Sequence, residues 1–223
     1  MRVIALKKSV TASNDADAAR LREDLSRKGR LLVNIMSSAG AGKTTLLGRM
    51  ITDLKGKVKI AVIEADIEAC VDAERMEELG ARSVQAHTDG MCHMDAGMTA
   101  AALEELGDAE EQLVFLENVG NLICPAEYDT GAHRNIMLLS VPEGDDKPLK
   151  YPLMFQRSDV LVITKTDALS YFSFDMEKCM RRAKALNPAI SVFAVSAKTG
   201  EGMAALEDYL LHELNRAAEQ GMV

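Results

Sequence analysis

The sequence predicts a three-layer α/β fold, in which a mostly parallel β-sheet carries helices on both faces. Two patterns support this prediction. Short apolar segments alternate with helical segments along most of the 223 residues, and such alternation is typical of right-handed βαβ units. Several apolar segments are almost continuous in Val, Ile, Leu and Met, as in parallel strands that are covered on both faces.

The elements follow from these patterns in chain order. A helix over Asn14–Arg27, with Asn14 or Asp15 as its cap, is predicted before the first strand. The predicted strands are Leu31–Met36, Val58–Glu64, Gln112–Glu117, Ile136–Ser140, Asp159–Thr164 and Ile190–Val195. The helices predicted between and after them are Thr44–Leu54, Asp72–Leu79, Asp95–Leu106, Asp175–Leu186 and Met203–Ala218. The segment Cys124–Lys150 is rich in turn formers and charge and is predicted to be a long functional loop around one strand.

Composition excludes several classes of protein. With 26 basic and 34 acidic residues the formal charge is −8, which argues against nucleic-acid binding because that needs basic surface. No apolar run approaches the roughly 20 residues of a membrane span, and the N-terminal residues do not form a secretory signal. The cytoplasm is therefore the expected location. There, metal binding or burial is favoured over disulfides for the four cysteines, Cys70, Cys92, Cys124 and Cys179.

A glycine-rich segment, Ser37–Thr45, follows the first strand and opens a helix. It resembles the P-loop G-x-x-x-x-G-K-[ST], with Ser37 in place of the first glycine. Glycines let backbone N–H groups face phosphates, Lys43 can reach the β- and γ-phosphates, and the Thr44 hydroxyl can bind Mg²⁺. The fold is thus expected to be that of a P-loop NTPase, with an N-terminal extension over 1–30 and a nucleotide-binding domain over 31–223. The predicted phosphate-binding residues are Gly40, Ala41, Gly42, Lys43, Thr44 and Thr45.

Two acidic residues are candidates for the magnesium site and for catalysis. Asp66 lies just after the second strand, and Glu117 ends the third. Ligands of open α/β sheets bind beyond the carboxyl ends of the strands, so both are expected beside the P-loop. Glu117-x-x-Gly120 resembles the G3 element of GTPases. The sequence does not decide which of the two carboxylates activates the attacking water; Lys43 is the third predicted catalytic residue.

Two further strand ends indicate which base is bound. Thr164-Lys165-Thr166-Asp167 resembles the guanine-reading N-K-x-D element. The Asp167 carboxylate can accept hydrogen bonds from guanine N1–H and the exocyclic amine, a pair that adenine lacks, and the stem of Lys165 can lie along the base. The last strand is followed by Ser196, Ala197 and Lys198, which resemble the G5 element. The expected substrate is GTP, with affinity or selectivity weakened because Thr164 lacks the amide of Asn.

Cysteine and histidine residues form one more candidate site. Cys92 and His93 precede a helix, and Cys124 follows a strand. Thiolate and imidazole suit Ni²⁺ and Zn²⁺, but this spacing is too sparse to define a metal motif by itself. Small buried cysteines and a capping histidine remain open at this point. The other histidines, His87, His133 and His212, have no motif partner and are expected at the surface or hydrogen-bonded.

Four segments together resemble the family of hydrogenase nickel-incorporation GTPases, HypB: the P-loop, Glu117–Ala126, Glu143–Pro152 and Ser196–Gly202. The resemblance spans about residues 14–211. It implies a Mg²⁺-dependent GTPase of the dimerising SIMIBI class that assists nickel delivery to [NiFe]-hydrogenase. The implied partners are a second copy of the chain, the nickel chaperone HypA and the hydrogenase large subunit.

The same resemblance assigns roles to residues that spacing alone leaves open. It implies that Cys92, His93 and Cys124 bind Ni²⁺ or Zn²⁺ at the dimer interface. It also implies a lid over Glu143–Pro152, in which Lys147 and Lys150 contact the nucleotide or the partner subunit. Intrinsic turnover is expected to be slow, because the sequence shows no arginine finger.

Other hypotheses about the function remain open. The urease maturation GTPase carries Cys-Pro-His, whereas here Cys92-His93 and Cys124-Pro125 are separate. That difference favours the hydrogenase branch. A cobalamin-enzyme chaperone GTPase would share the nucleotide elements but is not expected to carry the Cys-His pair. A GTP-binding regulatory module, with purely structural cysteines and no metal handling, belongs to a different class.

Overall fold

The computed structural model describes residues 6–65, 71–88, 90–107 and 110–221. Its centre is a seven-stranded parallel sheet in the order β3-β2-β4-β1-β5-β6-β7, which confirms the predicted fold class. The strands are β1 Leu31–Ser37, β2 Ile60–Ala65, β3 Arg82–Ala86, β4 Leu113–Glu117, β5 Arg134–Ser140, β6 Val160–Thr164 and β7 Ser191–Ala194.

Helices cover both faces of this sheet. They are α1 Leu6–Arg27, α2 Lys43–Asp53, α3 Val71–Leu79, α4 Ala96–Leu106, α5 Lys147–Lys150, α6 Pro152–Arg157, α7 Met176–Leu186 and α8 Met203–Gly221. Helix α1 begins earlier than predicted, so Asn14 lies within it and does not cap it. The predicted loop Cys124–Lys150 contains β5 and ends in α5; neither α5 nor α6 was predicted. Within the described ranges, no helix is both long and apolar enough to cross a membrane.

Strand β3 is the one strand that the sequence does not predict. Its sequence, Arg-Ser-Val-Gln-Ala, is mostly polar, and its side chains are partly or fully exposed. It pairs only with β2, at the edge of the sheet. An edge strand needs no continuous apolar run, so the pattern that indicates the central strands is missing here.

Alternation along the strands divides the core between the two faces. Val62 and Phe115 pack under α2, whereas Ile63 and Leu116 point to the opposite face, under α1 and α4. Because side chains alternate, the residue two positions after Val62 or Phe115 returns to the α2 face. Those residues are Glu64 and Glu117, and α2 begins at the P-loop lysine.

Helix α1 is tied to the sheet through His133. The Leu32 amide donates to His133 Nδ1 at 3.1 Å, and the other ring nitrogen, Nε2, lies 3.0 Å from Ser26 Oγ in α1. Ser26 Oγ donates in turn to the Arg22 carbonyl at 2.9 Å. Burial, with the charges of Arg22 and Arg134, lowers the pKa of His133 to about 4. His133 is therefore the hydrogen-bonded neutral histidine that the sequence allows.

Candidate nucleotide and metal sites

The phosphate loop lies between the end of β1 and the start of α2. Ser37 is fully buried; its hydroxyl donates to the Ser38 carbonyl at 2.7 Å and accepts from Lys43 Nζ at 3.3 Å. Gly40 and Gly42 have φ of 74° and 100°, a conformation that favours glycine. Ser37, which replaces the first glycine of the motif, thus accepts a hydrogen bond from the lysine of the loop. Thr45 lies in the first turn of α2 and is exposed.

The predicted magnesium ligands Thr44 and Glu117 meet at this loop. Thr44 Oγ1 donates to Glu117 Oε1 at 3.1 Å, and Lys43 Nζ lies 3.9 Å from the same oxygen. Glu117 is 7% exposed. A hydroxyl and a carboxylate oxygen are the ligands that Mg²⁺ prefers, so these residues fit that ion. The third predicted magnesium ligand, Asp66, lies outside the described residues.

Glu64 is a carboxylate at this edge that sequence reasoning missed. It stands in register with Glu117 on the neighbouring strand and is 4% exposed. The signal was present in the alternation Ile60, Val62, Glu64, which places the carboxylate on the face of α2.

The segment after β4 approaches the phosphate loop closely. A Cβ built on Gly120 would lie 3.1 Å from Ala39 Cα and 3.2 Å from Ala39 N. Such contacts are tighter than side chains normally make, so glycine permits this approach. The G3-like segment is therefore packed against the loop that would hold the phosphates.

The two elements that resemble guanine-reading motifs lie in contact. Ser196 Oγ donates to Asp167 Oδ1 at 2.7 Å, joining the loop after β7 to the loop after β6. Lys165 has a left-handed φ of 59°, and its Nζ donates to the Gly40 carbonyl at 2.7 Å. Arg49 of α2 donates to the Ala197 carbonyl at 3.5 Å. Asp167 and Lys198 are exposed, and binding of guanine by Asp167 stays a prediction.

The three predicted metal ligands lie together, but in an oxidised state. A disulfide joins Cys92 to Cys124, which corrects the expectation that these cysteines stay reduced. The physical reason is proximity, since their Cα atoms are 6.1 Å apart, within the usual range for a bridge. His93 Nδ1 lies 3.9 Å from Cys92 Sγ. Across the described part of the chain, no group of three or more His, Cys, Asp or Glu side chains is arranged to hold a metal ion.

The His93 ring is nearly buried and is packed against an aromatic ring. It is 9% exposed, and its ring stacks on Tyr128 with the centroids 3.8 Å apart and the planes 11° from parallel. Burial lowers the pKa of His93, while the charges of Asp95 and Glu127 raise it in part. A neutral imidazole is the form that binds metal. The remaining cysteines differ: Cys179 is fully buried in the core, as expected, and Cys70 lies outside the described residues.

Asparagine side chains connect this site to the nucleotide site. Asn121 Oδ1 accepts from the Cys124 amide at 2.9 Å, while its Nδ2 donates to the Cys92 carbonyl. Asn118, next to Glu117, accepts from the Met94 amide at 3.2 Å. Both loops that carry the predicted metal ligands are therefore hydrogen-bonded to the segment that begins at Glu117.

The predicted lid is anchored at its first residue, Glu143. Glu143 accepts from Ser140 in a capping box and also accepts a hydrogen bond from Ser38 of the phosphate loop. Lys150 is exposed and pairs with Asp146 at 2.6 Å. Lys147 Nζ lies 5.4 Å from the centre of the Tyr151 ring. Contacts of Lys147 and Lys150 with nucleotide or a second subunit stay predictions.

The phosphate loop, its acidic neighbour and the guanine-reading pair define a nucleotide-binding protein of the P-loop GTPase class. The family model "CobW/HypB/UreG, nucleotide-binding domain" matches residues 31–194. The chain belongs to this family and, within it, to the hydrogenase maturation factors HypB.

Individual relatives support this assignment. The chain is 44% identical over 209 residues to hydrogenase maturation factor HypB of Rhizobium leguminosarum bv. viciae, covering 94% of this chain and 70% of that one. It is 39% identical over 211 residues to the hydrogenase/urease maturation factor HypB of Helicobacter hepaticus, covering 93% and 86%. The crystal structure of HypB from Helicobacter pylori in complex with nickel superposes with a TM-score of 0.87 at 37% identity, covering 92% and 96%.

Proposed function

We propose that this chain is a metal-regulated, Mg²⁺-dependent GTPase that dimerises and assists nickel delivery to [NiFe]-hydrogenase. One observation carries the proposal: Cys92, His93 and Cys124 are gathered by loops that are hydrogen-bonded to the segment starting at Glu117. A nucleotide that orders this segment would act on the metal ligands through those bonds. The solved HypB relative described as a nickel complex supports nickel as the cargo.

The nucleotide site performs its part through residues in fixed positions. Asp167, oriented by Ser196, accepts the two guanine donors. Lys43 binds phosphate, and the Gly120 amide lies where it can meet the γ-phosphate. Thr44 and Glu117 would hold Mg²⁺, which supplies positive charge against the phosphates. Asp66 and Glu117 are the candidates for orienting the attacking water.

Metal binding requires the disulfide to be opened. Cys92 and Cys124 bind metal as thiolates. A thiol reductant supplies two electrons and two protons, which convert the bridge to two thiols, and both protons leave when the metal binds. His93 contributes its imidazole. Nickel is the cargo in this scheme, and Zn²⁺ is the competing ion for the same ligands.

Coupling between the two sites must be reciprocal. If GTP changes nickel affinity, nickel changes GTP affinity by the same factor. The remaining parts of the proposal are a dimer with the metal site at its interface, contacts of Lys147 and Lys150 with nucleotide or the partner subunit, HypA as nickel donor, the hydrogenase large subunit as recipient, and a cytoplasmic location.

A second recipient is favoured by one observation. The Helicobacter hepaticus relative is named a hydrogenase/urease maturation factor. Urease is therefore the alternative destination for nickel. A regulatory GTP-binding module without metal handling is the remaining candidate, and it predicts that the cysteines have no part in metal uptake.

Calorimetry of Ni²⁺ and Zn²⁺ binding in reducing buffer, with GDP and with a non-hydrolysable GTP analogue, tests the proposal. Nucleotide-dependent affinity that disappears in Cys92→Ala/Cys124→Ala and persists in Cys179→Ala supports it. Metal affinity that is unchanged in Cys92→Ala/Cys124→Ala overturns the role of these cysteines in metal binding and leaves a GTP-binding module. Nickel transfer to purified apo-hydrogenase large subunit or to apo-urease then separates the two recipients.

A further inference from the structure

We propose that Glu64 is a second carboxylate of the magnesium site, placed to bind the water ligands of the ion. This inference deepens the proposed GTPase function and rests on it. Its basis is the position of Glu64 at the carboxyl end of β2, directly beside Glu117 of β4.

The register of the sheet places the two carboxylates side by side. Glu64 and Glu117 are paired residues of adjacent parallel strands, which lie about 4.8 Å apart. Paired residues of parallel strands point to the same face. That face is the one under α2, because Val62 and Phe115, two residues earlier in each strand, pack with Leu47 of that helix in one core cluster.

The same face carries Lys43, proposed to bind phosphate, and the Thr44 hydroxyl, proposed to bind Mg²⁺. Helix α2 begins at Lys43, whose Nζ lies 3.9 Å from Glu117 Oε1, and Thr44 Oγ1 donates to that oxygen. Glu64 is thus one strand further from the P-loop strand than Glu117 is, because the order of strands is β2-β4-β1. A Mg²⁺ ion held directly by Thr44 and Glu117 would have Glu64 as an acidic neighbour on the adjacent strand.

Glu64 and Glu117 are neighbouring carboxylates that are both buried. Glu64 is 4% exposed and Glu117 is 7% exposed. Taking a carboxylate out of water costs free energy, and a second one beside it adds repulsion. The same column of β2 holds apolar residues at Ile60 and Val62, so an apolar side chain would satisfy packing at position 64. A divalent cation with its water ligands stabilises two neighbouring carboxylates.

Other buried carboxylates of the described chain serve different purposes. Glu111 forms an ion pair with Arg82 at 3.2 Å, and Glu213 accepts from Arg216 at 3.0 Å. Glu207 lies near Asp53, and burial raises its pKa. None of these three stands at the carboxyl end of a strand beside the P-loop. Glu207 is therefore a suitable control, since it is a buried acid with an acidic neighbour away from the nucleotide.

The test compares Glu64→Gln with Glu207→Gln. Thermal unfolding measures how much bound GDP or a non-hydrolysable GTP analogue stabilises the protein. The readout is the Mg²⁺ concentration at which this stabilisation is half-maximal. Glu64→Gln is expected to raise this concentration about tenfold or more, as removal of outer partners of metal ligands commonly does. The same variant should unfold at a higher temperature than wild type in EDTA, because the repulsion is gone. Glu207→Gln should change only the midpoint in EDTA.

The outcomes separate this inference from the proposed function. Wild-type protein that binds no guanine nucleotide overturns both. Nucleotide binding with the same Mg²⁺ requirement in Glu64→Gln as in wild type overturns the role of Glu64 alone. Should Glu64→Gln not fold, Glu64→Asp, which keeps the charge but withdraws it by one methylene, decides by the same measurement: an unchanged Mg²⁺ requirement refutes the proposal and an increased one supports it.

Discussion

Thr164 Oγ1 donates a hydrogen bond of 2.7 Å to the backbone carbonyl of Ala41, and both residues are buried. The bond joins the guanine-reading loop after β6 to the phosphate loop after β1. Lys165 Nζ makes a parallel contact to the Gly40 carbonyl. The residue that departs from the N-K-x-D pattern therefore has a partner of its own, and its hydroxyl holds the two loops together.

Thr164→Val is expected to weaken guanine nucleotide binding. The substitution keeps the shape but leaves the Ala41 carbonyl without its donor, which costs about 1–3 kcal/mol for a buried group. Part of that cost appears as lower affinity, because the two loops are no longer held together. Titration with a fluorescent GDP analogue measures it. Thr164→Ser keeps the hydroxyl and is the control, and equal affinities for the Val and Ser variants would contradict this role.

Much of the nucleotide site was predictable from the sequence, because backbone geometry determines it. Gly42, Lys43 and Thr44 occupy fixed places between a strand and a helix, so their spacing is sufficient. Asp167 and Ser196 are distant in sequence, but both follow parallel strands. Parallel strands bring their carboxyl ends to one edge, and the Ser196–Asp167 hydrogen bond is the result.

Other features depend on contacts that spacing does not encode. Position at the strand end favours Asp66, the last acidic residue of this segment. Alternation of side chains along the strand, however, determines which face of the sheet a residue lies on, and it places Glu64 on the face of α2. The bridge between Cys92 and Cys124 depends on how two loops pack. Strand β3 carries no apolar run because it lies at an edge.

The partly buried His133 predicts a dependence of stability on pH. Its folded pKa of about 4 lies below the ordinary 6.5, so the unfolded chain binds more protons between these values. The contribution is complete above pH 6.5 and is lost as the pH falls toward 4. Protonation would put a charge between Arg22 and Arg134 and would remove the acceptor of the Leu32 amide.

Denaturant unfolding between pH 7.5 and pH 5.0 measures this effect, since most carboxylates stay ionised over that range. The full pKa shift corresponds to about 2 kcal/mol over this range, and after discounting for partial exposure we expect a loss of about 1 kcal/mol. His133→Gln should remove most of the pH dependence. The exposed His212 provides the control, and a slope that is the same in His133→Gln as in His212→Gln would be inconsistent with this assignment.

Gly202, which follows the Ser196 loop, is predicted to be intolerant of any side chain. Its φ is 73°, and a Cβ there would lie 2.0 Å from the Ala194 carbonyl oxygen. Gly202→Ala is expected to destabilise the fold by more than about 3 kcal/mol, measured by denaturant unfolding. Gly56 also has a positive φ, of 80°, but nothing lies within 4 Å of its Cβ position. Gly56→Ala should therefore cost only about 1–2 kcal/mol of backbone strain, and equal losses for both variants would show that the contact with Ala194 is unimportant.

The bridge between Cys92 and Cys124 predicts that metal uptake depends on the redox state of the protein. In the oxidised protein neither sulfur is a thiolate, so His93 is the one predicted ligand still able to bind. Protein treated with a thiol reductant, then freed of it without air, should bind one Zn²⁺ or Ni²⁺ per chain, whereas oxidised protein should bind at least tenfold more weakly, a difference of about 1.4 kcal/mol. Equilibrium dialysis measures both affinities.

The cysteine variants provide the control for this prediction. Cys179 is buried in the core, and burial raises the pKa of its thiol to about 12. Cys179→Ala should therefore keep the difference between oxidised and reduced protein, while Cys92→Ala abolishes it. Equal metal binding by oxidised and reduced wild-type protein would place the metal on other residues.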